Sequence, residues 1–305
     1  MHNQNKAYTL ALIAIGFWST IGSAFKITLR HIDFMHLLLF ASLTAAIVQG
    51  AYLLFTNKFK ILFQLKFKDY LSPVFASVLN PFLYYLVLLR AYDILPAQEA
   101  GTLNYFWPVT LVLFSMLFLK QKVRLKSLSA LGISFFGIVW ISSHGNPLSL
   151  QFGNSLGVLL ALSSTIVWSL FWIINMKNPM DDSIKLFISF ISGFILIFIS
   201  ILLFETPVWP TYYGFLGAVY IGIFEMGITF LIWLRALKYT ENTATISNLV
   251  FLSPFISLIF IHFVVGEEIL YSTFAGLILV VAGILLQKYF SSAQKRQKLS
   301  NLSSK

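Results

Sequence analysis

Ten apolar runs, each roughly 17–25 residues and so long enough to cross a bilayer, lie between Tyr8 and Phe290. Divided at charges and turn residues, they cover 8–27, 34–56, 71–89, 97–118, 127–142, 155–174, 184–204, 214–235, 244–264 and 270–290. A backbone in lipid must satisfy its own hydrogen bonds, and no period-2 barrel pattern is present, so the runs predict transmembrane helices. Runs four and five share a pattern with runs nine and ten. Leu89-Arg90-Ala91 leads to Pro108, a turn at 119–123 and Gly137, as Leu234-Arg235-Ala236 leads to Pro254, a turn at 265–269 and Gly283. A unit of five spans starts its second copy from the opposite face of the membrane. The predicted fold class is therefore an all-α integral membrane protein of ten helices in two inverted-topology repeats, 8–142 and 155–290, an arrangement shared by many alternating-access carriers. The polar stretch 142–155 is the seam between the halves, and 291–305 is a basic tail.

Composition agrees. The chain is 58% hydrophobic and 10% charged, with mean hydropathy +0.83, which excludes an ordinary soluble domain. The net charge of +10 does not call for a nucleic acid, because of where the charges fall. With both termini cytoplasmic, only Lys26, Arg30 and Arg90 of the 21 basic residues lie on the far side. The positive-inside rule accounts for this split and places the chain in the cytoplasmic (inner) membrane, with lipid rather than a polyanion as its surroundings. No cysteine is present, so there is no disulfide framework or thiolate metal site. The run 8–27 is long for a cleavable signal and reads as a retained first span.

Polar groups in hydrocarbon need a reason. Glu225 is centred in run eight, where an acid costs roughly 2.5–3.5 kcal/mol on insertion scales and usually faces a cavity or a partner. Helical spacing aligns Gly222, Glu225, Thr229 and Trp233 on one stripe. Two readings stand for Glu225: a carboxyl that carries a proton or a counter-charge through the transport cycle, or a protonated clasp to a neighbouring helix. Asn80 occupies the matching place in run three, ten residues before Arg90, and Pro81 after it disrupts the helix. Asn80 either contacts a ligand or satisfies that broken backbone.

Run four is the densest, with Gly101, Asn104, Tyr105 and Pro108 sharing a face and Trp107 off it by roughly 60–100°. Pro108 and Pro254 interrupt corresponding helices, which points to a central binding region. Glu99, one turn into run four, is either a helix-dipole partner or a substrate contact. Runs one and six match through Phe17-Trp18-Ser19 and Val167-Trp168-Ser169, whose mid-span indoles suit a cavity wall or ordinary packing. Lys26 is expected to snorkel outward. His36 and His262 stand without a second ligand at metal spacing, Asp181-Asp182 reads as solvated charge, and no catalytic constellation appears.

The pattern resembles the drug/metabolite transporter superfamily, in its ten-helix form with two EamA-type halves, over nearly the whole chain. The first half is most similar to bacterial aromatic amino-acid exporters. The resemblance rests on Leu12-Ile13-Ala14-Ile15 followed by Trp18-Ser19-Thr20, on Glu99-x-Gly101-x-x-Asn104-Tyr105-x-Trp107-Pro108, and on Gln121-Lys122. In the second half Glu225 stands where that pattern has a small or hydroxylated residue. The resemblance implies a secondary carrier without a cofactor, moving a small organic metabolite such as an amino acid, in the export direction. Trp18, Asn80, Asn104, Tyr105, Trp107, Trp168, Thr229 and Trp233 are the expected binding residues. A membrane-embedded enzyme, or a structural or receptor-like membrane protein, is the alternative; oligomeric state stays open.

Overall fold

The computed structural model describes residues 3–118, 125–148, 154–240, 246 and 249–303. The 119–123 turn, with Gln121 and Lys122, and part of the seam lie outside them. No strand occurs among the described residues. The helices are α1 (Gln4–Thr28), α2 (Phe34–Phe55), α3 (Phe67–Ile94), α4 (Ala97–Phe118), α5 (Leu125–Ser142), α6 (Ser155–Lys177), α7 (Asp182–Phe204), α8 (Tyr212–Tyr239), α9 (Val250–Val265) and α10 (Tyr271–Ser303). Among the described residues eight of these are long and apolar enough to cross a membrane, while α9 and the apolar part of α5, Ser129–Ser142, are shorter. The helix of α10 continues past 290 through most of the expected tail. A four-residue turn, Phe59–Leu62, interrupts the Lys-rich loop before α3.

Side-chain caps fix where several helices start, and they recur between the halves. Asn3 accepts from Lys6 N ahead of α1, and Asn154 accepts from Gly157 N ahead of α6. Asp33 accepts from Met35 N and His36 N ahead of α2, and Asp181 from Ser183 N ahead of α7. Each cap satisfies a backbone donor that the helix itself cannot.

The packing exchanges elements between the halves. Helix α1 packs on α8 and α9, and α6 packs in the same manner on α3 and α4. Helix α2 packs on α7 and α8, and α7 on α2 and α3; α5 packs against α10. The last pair meets through small residues: a Cβ at Gly137 would lie 2.7 Å from the Gly276 carbonyl. Without a hydrophobic force between helices in lipid, such close backbone approach is what dispersion requires.

Among the described residues four helices are broken, in two matched pairs. Helix α3 contains a π segment, Val78–Leu83, in which Asn80 leaves helical geometry (φ −144°, ψ 121°) before a cis Pro81. Helix α8 contains the π segment Gly222–Gly227, centred near Glu225. Helix α4 turns at Tyr105 and Phe106 and restarts at Trp107, with Pro108 in the second position. Helix α9 restarts at Ser253, with Pro254 in its first turn. Both prolines thus open a helical segment, where a missing N–H costs nothing.

Candidate functional site

A cavity of about 130 Å³ lies between the halves, lined from α1, α3, α4, α6, α8 and α9. Of the residues that sequence reasoning singled out, Trp18, Gly101, Asn104, Tyr105, Trp107, Trp168, Glu225 and Pro254 reach it. Trp107 arrives because the turn at 105–106 ends the straight-helix register that had placed it off the face.

The repeated Trp-Ser pairs divide their work. Trp18 and Trp168 face the cavity, while the serine beside each bonds the proline-bearing helix of the opposite half. Ser19 Oγ lies 3.2 Å from Ser253 Oγ, and Ser169 Oγ lies 2.7 Å from Thr110 Oγ1. Asn104 is held at both ends of its amide, accepting from Tyr84 Oη at 3.3 Å and donating to Ser164 Oγ at 2.9 Å. The Trp168 ring lies 4.6 Å from that of Tyr84 and 6.0 Å from that of Phe230, which also meets Trp18 at 6.0 Å.

Glu225 is the acid on the cavity wall, and no Lys, Arg or His lines it among the described residues. Tyr85 Oη donates to Glu225 Oε1 at 3.1 Å. The second oxygen, Oε2, has no protein donor among the described residues.

Other expectations are corrected. Thr229 is fully buried and off the cavity, its hydroxyl donating to the Phe224 carbonyl within α8. The π segment inserts a residue between Glu225 and Thr229, turning everything beyond it by about 100° away from the stripe that an unbroken helix would carry. Trp233 is likewise absent from the lining and packs behind it, its ring 5.3 Å from that of Trp18. Asn80 is fully buried and does not line the cavity, and among the described residues neither polar atom of its amide has a partner, so it does not bond the broken backbone. Pro81 instead packs on Gly193 of α7, and Pro108 is buried outside the cavity.

Glu99 is buried away from the cavity and bonds His144 Nε2 at 2.7 Å, so its partner is a seam residue. Glu99 does lie in the first turn of α4, and the carboxylate that bonds the N–H groups there is that of Glu267, which accepts from Ala97 N at 2.8 Å and Gln98 N at 3.2 Å. Lys26 does not point outward: its ammonium donates to the Tyr92 and Leu95 carbonyls at 2.8 and 2.7 Å, closing the end of α3. Asp181 bonds Lys58 at 2.5 Å.

His36 has company as well. Asp33, His36 and Glu205 bring their ligand atoms within 4.8 Å of one another. Val208 N donates to Nε2 at 3.1 Å, which assigns the ring proton to Nδ1, where it faces Asp33 Oδ2 at 2.6 Å. No imidazole lone pair is left for an ion in this arrangement, and the cluster ties α2 to the loop before α8.

Sequence reasoning missed Tyr84, Tyr85, Tyr92 and Gln98. Tyr85 and Tyr92 share a helix face at i, i+7, and their mid-span hydroxyls were the available signal.

A bundle of apolar spanning helices, with broken helices around a central cavity between two similar halves, defines a multi-pass membrane transporter. The chain belongs to the EamA-like transporter family, within the drug/metabolite transporter superfamily, the family model matching residues 5–143 and 155–287. It is 26% identical over 220 residues to an uncharacterized transporter of Clostridium kluyveri, covering 68% of this chain and 69% of the relative. It is also 26% identical over 228 residues to the uncharacterized transporter YvbV of Bacillus subtilis, covering 72% of each. Over 156 residues it is 24% identical to the aromatic amino acid exporter YddG of Ancylobacter novellus, covering 49% of this chain and 53% of that one. A crystal structure superposes with TM-score 0.65 at 19% identity, covering 96% of this chain and 99% of the other, a likeness of fold.

Proposed function

We propose that the protein is a secondary transporter that moves a small organic metabolite, an amino acid or a related compound, by alternating access across the cytoplasmic membrane. Its ten spans form two five-helix repeats of opposite orientation, both termini are cytoplasmic, and the direction is export. Substrate binding falls to Trp18, Asn104, Tyr105, Trp107 and Trp168, a reading that their place on the cavity wall supports, and Glu225 is the proton or counter-charge site.

The observation that carries the reading is the cavity between the halves with an acid on its wall. Its volume, about 130 Å³, is below the roughly 300–1,000 Å³ of drug-sized pockets, which favours a small metabolite. The exchange of helix contacts between the halves supports the inverted repeat, and the likeness to an aromatic amino acid exporter supports the direction.

Counterflow in proteoliposomes, screened with amino acids and related metabolites, tests the proposal: a carrier gives saturable exchange, and an enzyme or a structural protein gives none. Glu225→Gln keeps the shape and cannot ionise. It is expected to elute and melt like the parent while losing at least tenfold in exchange rate or its pH dependence. An unchanged rate, selectivity and pH profile would make the carboxyl structural.

Orientation has its own test. Asn146 is exposed in the seam and the chain has no cysteine, so Asn146→Cys is a clean reporter. It is expected to react with an impermeant thiol reagent in intact cells. Reaction only after lysis would reverse the topology.

A further inference from the structure

We infer that the central cavity selects small aromatic amines that carry a positive charge and no carboxylate, in preference to amino acids with the same side chain. The inference rests on the transporter reading above and narrows its substrate class.

The charges on the wall come first. Glu225 is the acid and no basic side chain lines the cavity among the described residues. An amino acid would bring its own carboxylate into a space that already holds one and offers no cation to meet it. Two like charges close together in a poorly solvated site destabilise each other, and an unpaired buried carboxylate is costly. A protonated amine brings only the charge that the site lacks.

The hydrogen bonds point the same way. Glu225 lines the cavity and Tyr85 Oη is the protein donor to its carboxyl among the described residues, so the carboxylate keeps acceptor capacity for an ammonium. Each amide group on the wall already donates once within the protein. Asn104 Nδ2 donates to Ser164 Oγ at 2.9 Å, and Gln98 Nε2 donates to the Glu268 carbonyl at 2.7 Å. Thr102 Oγ1 donates to the Gln98 carbonyl at 2.6 Å. The donors that remain on the wall are neutral N–H and hydroxyl groups, and none supplies the positive charge that a buried carboxylate calls for.

The remaining surface is aromatic. Trp18, Tyr84, Trp168 and Phe230 line the space with aromatic rings, groups that pack a flat apolar moiety and whose faces carry negative quadrupole density. Such faces attract a cation and disfavour an anion. An aryl group joined by a short linker to an ammonium satisfies the rings and Glu225 together.

Matched pairs test this with the purified, full-length protein: tryptamine against tryptophan, and phenethylamine against phenylalanine. Each compound is scored as a competitor in counterflow and, without transport, by the rise it gives in melting temperature in detergent. The amine of each pair is expected to act at a concentration at least tenfold below its amino acid. Glu225→Asp, which keeps the charge, is expected to retain that preference, and Glu225→Gln to reduce it to less than threefold. If the amino acids match or outcompete the amines, or if the preferred solute of the wider screen is zwitterionic or anionic, the inference is wrong and the transporter reading stands. If tryptamine stabilises the protein over tryptophan but no solute exchanges saturably, the site is as inferred and the transporter reading falls. Should Glu225→Gln fail to fold, the wild-type pairs and Glu225→Asp decide the matter.

Discussion

Leucine in place of Gly283 is expected to destabilise the protein by about 2 kcal/mol or more. A Cβ at this position of α10 would lie 2.6 Å from the Ala130 carbonyl and 2.7 Å from the Ser134 amide, and it also meets Ser134 Oγ. Two of these three are backbone atoms of α5, so no rotamer change relieves them and the helices must part. Parting them stretches the bond from Ser134 Oγ to the Val280 carbonyl, now 2.9 Å, and separates Gly276 from Gly137. The opposing gain is the better helix propensity of leucine over glycine, roughly 0.8 kcal/mol. Overpacking of a well-fitted contact costs about 1–3 kcal/mol and sometimes more, so the clash wins. Gly132→Leu is the control, because that glycine of α5 faces open space with nothing within 4 Å. Thermal unfolding in detergent compares the two; melting temperatures that agree would mean that α5 and α10 do not rely on this approach.

Gly137 and Gly283 were visible in the sequence as repeat markers, but their purpose was not. Periodicity and hydropathy report what a span is made of, and they are silent on which helix it touches. The spans themselves were legible because lipid leaves the backbone so few options. The register within broken spans was not. A stripe drawn through Gly222, Glu225, Thr229 and Trp233 assumes an uninterrupted 3.6-residue turn, and the π segment at Gly222–Gly227 removes that assumption halfway along. The same assumption set Trp107, an expected binding residue, off the face of run four, whereas the turn at Tyr105 and Phe106 delivers it to the cavity. The tyrosines of α3 were overlooked for a different reason. In a chain with 31 phenylalanines and 13 tyrosines, an aromatic ring is equally at home facing lipid, and only the hydroxyl separates Tyr85 from its surroundings. Glu99 does stand in the first turn of α4, but the part of Glu267 was not legible, because helix-terminal N–H groups can be met by a distant loop as well as by the helix's own first turn.

Removing that distant carboxylate is expected to open one end of the cavity. Glu267 accepts from both backbone N–H groups at the start of α4, and Gln98 answers by donating to the Glu268 carbonyl and accepting from Leu270 N at 2.8 Å. The loop after α9 is thereby clasped to a helix of the other half, beside the cavity that Gln98 also lines. Arg30 adds a bond to the Val265 carbonyl at 3.4 Å, and Lys26 closes the neighbouring end of α3. Hydrogen bonds to a charged group contribute about 1.5–3 kcal/mol each. Losing two in Glu267→Ala thus exceeds the ~1.4 kcal/mol that changes an equilibrium tenfold, and water can replace only part of the loss at an exposed loop. Thr102→Cys, on the cavity wall, reports the outcome in this cysteine-free chain. With an impermeant thiol reagent supplied on the face that carries the 265–270 loop, Glu267→Ala is expected to raise the labelling rate at least tenfold. Glu267→Gln keeps an acceptor and should fall between. A rate equal to that of the parent, in protein that still melts as a folded species, would mean that the clasp does not govern access and that the cavity opens by another route.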